Sequence, residues 1–202
     1  MQVTGYREKG LSYVVVDHYF PPKNLAEVRQ ELIDLRRLAG TPEHTNSALS
    51  EDGEILNKGH SFFIDGVYKK RRQFSPLLEA NRRLFSEELI LELVKHDQVF
   101  NFIDQSNRDD TLINYYYDKE AYAPHADTSR ITAVTSLGVG EFKGGDFLFP
   151  DQGIEIPFKD NRCVIFPSCV KHGSSPVRTD SHSYRISVAQ FVDFVSDGEW
   201  AI

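Results

Sequence analysis

Long apolar runs are missing from this chain of 202 residues. No stretch approaches the roughly 20 residues that a bilayer-spanning helix needs, which excludes a helical membrane anchor within it. The opening MQVTGYREKG is polar and lacks the apolar core of a secretory leader, so the expected location is the cytoplasm. Cysteine is scarce: Cys163 and Cys169 are the only two. That excludes a disulfide framework, and the lack of any CxxC pair excludes a cage of zinc thiolates. Both lie in the apolar stretch RCVIFPSCV, where they are expected to be small buried hydrophobes. A basic surplus is also missing. Lys and Arg number 23 against 30 Asp and Glu, a formal charge of −7, which argues against a general nucleic-acid binder. The one basic cluster, Lys69 to Arg72, reads as a solvated loop or, more sharply, as a patch meeting an acidic substrate or partner. No repeat, low-complexity segment or linker breaks the chain. One domain is expected over residues 1–202, with helical support to about 105 and a β core over about 110–195.

Hydrophobic residues make up 40% of the chain and aromatic residues 12%, enough for a folded core. LSYVVVDHYF is β-branched and aromatic and predicts a strand. Leu25, Val28, Leu32 and Leu35 then recur at helical spacing, with Asn24 and Glu27 as a capping pair and Gly40 as the end. Residues 41–60 have no period and predict a loop or lid, with His44 and His60 solvated in it. Ser75 before Pro76, and Ser86 before Glu87 and Glu88, predict the starts of two further helices. Beyond residue 110 the runs TLINYYYD, RITAVTSLG, GGDFLFP, GIEIPF, RCVIFP and SYRISVAQFVDF are short and β-type, split by Gly, Pro, Asp and Asn. That pattern predicts an antiparallel sandwich or barrel.

The chemistry concentrates around YAPHADTSR. His125 and Asp127 are either two metal ligands or parts of a polar turn. Residues i and i+2 of an extended chain point the same way, so one strand end can present both to a metal. Two histidines and one carboxylate on one face leave coordination positions open, as oxygen-activating iron requires. His172, at the turn after VIFPSCVK, is the natural third ligand. Further on, Arg185 sits inside a β-type run with Ser187 on the same strand face. A buried guanidinium needs a carboxylate, and the pair suits the far end of a dicarboxylate. Arg162 before CVIF reads as structural and His182 as exposed.

Over residues 110–195 the chain resembles the iron(II)- and 2-oxoglutarate-dependent dioxygenases, in their prolyl-4-hydroxylase-like branch. YAPHAD is similar to the branch's Tyr-x-Pro-His-x-Asp. RITAVTSLGVGEFKGGDFLFPD resembles its strand, loop and Gly-Gly-x-x-x-Phe-Pro segment. NRCVIFPSCVKHGSSPV resembles the stretch carrying the third ligand, and Arg185-Ile186-Ser187 the Arg-x-Ser. Each motif is weak singly; five in order are specific. The resemblance implies an α+β, mainly β fold: a cupin-like jelly roll, or double-stranded β-helix, with N-terminal helices packed on one sheet. It implies Fe(II) on His125, Asp127 and His172, and 2-oxoglutarate with its C5 carboxylate on Arg185, helped by Ser187. It implies O2 as second cosubstrate and ascorbate as an accessory reductant. Tyr115 matches a family position that touches 2-oxoglutarate. Where some members place a C5-contacting tyrosine, this chain has Ser136, so either hydroxyl can serve. Thr132 shares the Ser136 face and is a further pocket candidate. Tyr122 and Tyr117 are substrate-side candidates. Arg130 reads first as ion-paired and second as a substrate contact.

The implied reaction couples decarboxylation of 2-oxoglutarate to succinate and CO2 with hydroxylation of a C–H bond. Proline in a peptide or protein is the leading substrate expectation, and a free amino acid or small metabolite the alternative. Nucleic-acid dealkylation ranks lower: members of that type carry a second arginine where this chain has Phe191. A non-enzymatic cupin-like sensor is the reading from another class.

Overall fold

The computed structural model describes residues 1–44, 49–179 and 182–195. In chain order its elements are β1 (Gln2–Glu8), β2 (Leu11–Asp17), α1 (Pro22–Leu35), β3 (His60–Phe63), α2 (Ile64–Tyr68), α3 (Pro76–Asn81) and α4 (Glu87–His96). There follow β4 (Arg108–Tyr116), β5 (Tyr122–His125), β6 (Ile131–Val139), β7 (Phe142–Gly144), β8 (Phe147–Phe149) and β9 (Ile154–Ile156). The chain closes with β10 (Arg162–Pro167), β11 (His172–Ser174), β12 (Val177–Thr179) and β13 (Tyr184–Asp193).

A seven-stranded sheet runs β1-β2-β10-β6-β13-β4-β3, and a four-stranded one runs β5-β11-β8-β9. Every pairing in them is antiparallel. The period of two along each strand gives the large sheet two different faces. On one, Val14, Val16, Ile113, Ile165, Ile186 and Val188 meet Val28 and Leu32 of α1, Leu77 and Leu78 of α3, and Leu89 and Leu93 of α4. On the other, Val15, Val134 and Val164 meet Phe147, Phe149, Ile154 and Ile156 of the small sheet. Both faces are covered, so β13 is buried almost end to end and its sequence reads as a near-continuous run. The result is the expected jelly-roll sandwich with helices on its outer face.

Several local expectations change. β1 was not predicted: its QVTGYRE is mostly exposed, and its register with β2 holds it at the sheet edge. α1 starts at Pro22 with no side-chain cap, so Asn24 lies inside the helix and caps nothing. Proline at the first turn replaces that signal, since its missing N–H would have no partner there anyway. Gly40 pairs with Ser61 instead of ending a helix. Ser75 and Ser86 cap as their sequences predict, accepting from the N–H groups of Leu78 and Leu89.

The 41–60 segment is not a free lid in its described part. His60 belongs to β3, opposite Tyr115, with Nδ1 3.6 Å from the Glu120 carboxylate. Arg72 of the basic cluster is likewise engaged, by Asp65 and by Asp109 at 2.8 Å. Cys163 is buried and burial pushes its thiol up to about 12, whereas Cys169 is exposed, because the turn after β10 carries it out of the core. His182 is exposed. Arg162 grips Asp17, its register partner between β10 and β2, at 2.7 Å. Among the described residues, no helix is long and apolar enough to cross a membrane.

Candidate metal centre and cosubstrate pocket

β5 and β11 are neighbours in the small sheet, and their register sets His172 directly opposite His125. Asp127 follows two residues later, its backbone N–H donating to Ser168 O at 2.9 Å. The donor atoms of His125, Asp127 and His172 all lie within 4.8 Å of one another. His125 Nε2 is 3.7 Å from Asp127 Oδ1, and His172 Nε2 is 3.5 Å from Asp127 Oδ2. The opposite ring nitrogens fix the tautomers. His125 Nδ1 is 3.0 Å from Ala123 O and His172 Nδ1 is 3.0 Å from Val170 O. A carbonyl only accepts, so each Nδ1 carries the proton and each Nε2 keeps its lone pair inward. Burial, reinforced by the neighbouring His172, pushes His125 down to about 4. Burial pushes His172 down as well. Both imidazoles are therefore neutral at neutral pH, the form that binds metal. Two imidazole lone pairs and one carboxylate on one face, with backbone-fixed rings, fit an iron ion with open positions.

Asp127 is held from behind. Thr132 Oγ1 donates to its Oδ2 at 2.7 Å, and Ser168 Oγ lies 2.8 Å from both Thr132 Oγ1 and Ser129 Oγ. Thr132 thus supports the ligand carboxylate and does not line the pocket as its strand face suggested. The cause is its position at the start of β6, level with the ligand loop.

Arg185 is 1% exposed. Among the described residues no carboxylate lies within ion-pair reach of it, and its Nε has no partner. Its Nη2 donates to Ser136 Oγ at 2.9 Å, and its guanidinium carbon lies 5.4 Å from the Tyr116 ring centre. Burial pushes its pKa down, so the position is short of negative charge. Gly145 makes room for it: a Cβ there would fall 2.7 Å from Arg185 Cδ, and the backbone has φ +71°, where side chains are rarely tolerated. An unpaired, buried guanidinium fits a carboxylate group of a small ligand.

The structure brings His125, Asp127, His172, Arg185, Ser187 and Tyr122 to one cavity. The Tyr122 ring stacks on His125 with centres 3.7 Å apart. Of the two candidate hydroxyls, Ser136 reaches Arg185. Tyr115 does not: it is buried on the helix side, donating to Leu32 O at 2.7 Å. Tyr117 shares that side, edge-on to His60 and against Tyr184. The pocket tyrosine is Tyr116, directly opposite Arg185 in the register. In a run of three tyrosines the sequence carries no phase; the two i+2 steps back through Asn114 to Leu112, together with the pairing to β13, supply it. Arg130 lies outside the cavity, 3.8 Å from Asp193 and between the Phe102 and Phe194 rings. Asn114 and Phe191 line the cavity without having been singled out as site residues.

No protein-family model and no curated protein matches the chain. Solved structures do. A prolyl hydroxylase of Trichoplax adhaerens, in complex with a hypoxia-inducible-factor oxygen-degradation-domain peptide fragment, aligns with TM-score 0.61 and 13% identity. The alignment covers 90% of this chain and 83% of that one. The dioxygenase for auxin oxidation 1 of Arabidopsis thaliana, as its 2-oxoglutarate complex, aligns with TM-score 0.57 and 13% identity, covering 92% and 84%. A Pseudomonas putida prolyl-4-hydroxylase aligns with TM-score 0.52 and 16% identity, covering 91% and 93%. The chain shares their fold.

Proposed function

We propose that this chain is an Fe(II)- and 2-oxoglutarate-dependent oxygenase that hydroxylates prolyl residues in a peptide or protein. One observation carries the enzyme class: a buried arginine without a carboxylate partner among the described residues shares a cavity with a two-histidine, one-carboxylate cluster. Neither feature stabilises the protein by itself, and together they fit a dicarboxylate chelated at a metal. Bound iron with 2-oxoglutarate and O2 supplies the oxidation that yields succinate, CO2 and a hydroxylated C–H bond.

The chain's own residues bind and orient. His125 and His172 offer neutral Nε2 atoms, held in place by the Ala123 and Val170 carbonyls. Asp127 offers the carboxylate, held by Thr132. Arg185, held by Ser136, receives the distal carboxylate, and Ser187 borders it. Leu112, Val134, Phe147 and Phe191 exclude water from the walls. Two solved proteins of the same fold are prolyl hydroxylases, one of them holding a peptide, which supports the peptidyl substrate.

The test is iron-dependent conversion of 2-oxoglutarate to succinate across proline-containing peptides and free amino acids, with a 16-dalton mass gain sought in each. Gain on a peptide is the expected result. Gain only on a free amino acid moves the substrate to a small molecule. Absence of succinate under every condition overturns the enzyme class.

A further inference from the structure

The basic cluster takes no part in the metal cavity. Arg72 is ion-paired with Asp65 and Asp109. Lys69, Lys70 and Arg71 are exposed and make no ion pair or side-chain hydrogen bond among the described residues. Three like charges in a row repel, and Lys69 holds φ +48°, which side chains rarely tolerate. In the same turn, Lys69–Phe74, the Phe74 side chain is 67% exposed. No other large hydrophobic side chain among the described residues is as exposed. The turn thus gathers three unpaired positive charges and a bare aromatic ring, on a chain of formal charge −7. These features cost stability, and such costs are kept where they serve binding.

A second cavity, of about 410 Å³, adjoins the turn, which lines it with Arg72 and Gln73. Leu78 and Phe85 give it apolar surface, and the exposed Arg82 and Arg108 complete a lining of the kind that interfaces favour. Glu79 and Asp109 line it too, so the cavity is nearly charge-balanced and the positive surplus sits on the turn. The metal cavity is close. Asp109 lines the second cavity and Leu112 the first, three residues on along β4, or about 10 Å at about 3.4 Å per residue. The odd separation puts the two residues on opposite faces of the strand. A molecule joining the cavities therefore rounds the edge of the sheet beyond β3. At that edge Phe63 and Val67 are exposed; Phe63 lies opposite Leu112 and 6.4 Å from Phe191, which lines the metal cavity. An extended peptide can follow this path. A flat bilayer cannot enter the hollow, and a polyphosphate would meet the Glu79 and Asp109 carboxylates there.

We propose that the Lys69–Phe74 turn and the adjoining cavity dock an acidic segment of the polypeptide substrate, about three to six residues from the residue held at the metal. Its Asp and Glu side chains meet Lys69, Lys70 and Arg71, and an apolar side chain packs on Leu78, Phe85 and Phe74. The proposal rests on the reading of the chain as a prolyl oxygenase and adds which peptides it takes. Rim charges of this kind set specificity and are screened by salt.

The test uses the full chain loaded with Mn(II) and 2-oxoglutarate, without oxygen, so that bound peptides are not turned over. A library of peptides with one fixed proline and random flanks is captured on it and sequenced. Asp and Glu are expected to be enriched roughly fivefold at three to six positions from the proline, the scale of exposed charge pairs. The enrichment should vanish in about 0.5 M salt and in the triple variant Lys69→Glu, Lys70→Glu, Arg71→Glu, whose 2-oxoglutarate affinity stays that of the wild type. Captured peptides without acidic enrichment there, or an enrichment that persists in salt or in the variant, overturn the docking site alone. The salt arm decides on the wild type even if the variant fails to fold. Sedimentation with phosphatidylserine vesicles that the variant loses, alongside unenriched peptides, overturns it in favour of a membrane. Binding of 2-oxoglutarate with no peptide captured overturns both the docking site and the peptidyl substrate. No metal-dependent 2-oxoglutarate binding overturns the enzyme class beneath them.

Discussion

Thr132 Oγ1 stands 2.7 Å from Asp127 Oδ2 and donates to it. A metal ligand is thus tethered to the start of β6 in the large sheet, while the two histidines belong to the small one. Such supporting bonds hold a carboxylate in the orientation that a metal requires, and losing one typically costs about 10- to 100-fold in metal affinity. Thr132→Val keeps the shape and removes the hydroxyl. The expected outcome is Mn(II) affinity lowered about tenfold with the cavity otherwise intact. Calorimetry with Mn(II), and 2-oxoglutarate affinity at saturating metal, check it: only the first should fall.

Arg185 yields two effects of opposite sign. Its guanidinium is buried with no carboxylate beside it among the described residues, so the ligand-free protein carries the cost of a desolvated charge. Replacing buried charged groups with apolar ones of similar volume is often neutral or stabilising, by about 1–4 kcal/mol. Arg185→Met is expected to raise the melting temperature of the ligand-free chain. The same change removes a charge-assisted contact worth about 1.5–3 kcal/mol, which lowers 2-oxoglutarate affinity by roughly 10- to 150-fold. Thermal melting with and without 2-oxoglutarate reads both. A variant that melts lower and binds normally would show that Arg185 serves the fold.

Adjacent tyrosines separate the two faces of β4. Tyr115 donates to Leu32 O on the helix side, whereas Tyr116 lies in the cavity under Arg185. Tyr115→Phe should cost about 1 kcal/mol of stability, the net worth of one buried hydrogen bond, and leave the KM for 2-oxoglutarate unchanged. Tyr116→Phe should do the reverse. A KM change in the Tyr115 variant would mean that the strand's phase is opposite to the one described.

What the sequence disclosed follows from which signals are local. His125 and Asp127 announce themselves because i and i+2 of a strand share a face, and Arg185 and Ser187 do so for the same reason. Ser75 and Ser86 are legible because a cap is settled within three residues. Tyr116 was obscured since three identical side chains in a row carry no phase of their own. β1 was obscured because an exposed edge strand buries little and so shows no apolar pattern. Thr132 acts through its bond to Asp127, and the turn between β5 and β6 that brings the two together carries no sequence signal of its own. Cys169 shows the reverse error: an apolar neighbourhood in sequence became an exposed turn, because the strand ends at Pro167.

Acid sensitivity should trace in part to Asp17. Its carboxylate is held by Arg162 at 2.7 Å and Lys159 at 2.8 Å, and the Arg162 hydrogen bond leads in lowering its pKa from 3.8 to about 2. A carboxylate whose pKa is lower folded than unfolded binds fewer protons in the folded state. Its contribution is complete above the unfolded value of 3.8 and is lost as pH falls towards 2. Asp17→Asn removes that contribution without changing the side chain's size. The variant should melt below the wild type at pH 6, and the gap should narrow steadily between pH 4 and pH 2, the window set by the two pKa values. Melting curves at half-unit pH steps check this. A gap that stays constant down to pH 2 would mean that the carboxylate's charge is not what ties β2 to β10 at this end of the pair.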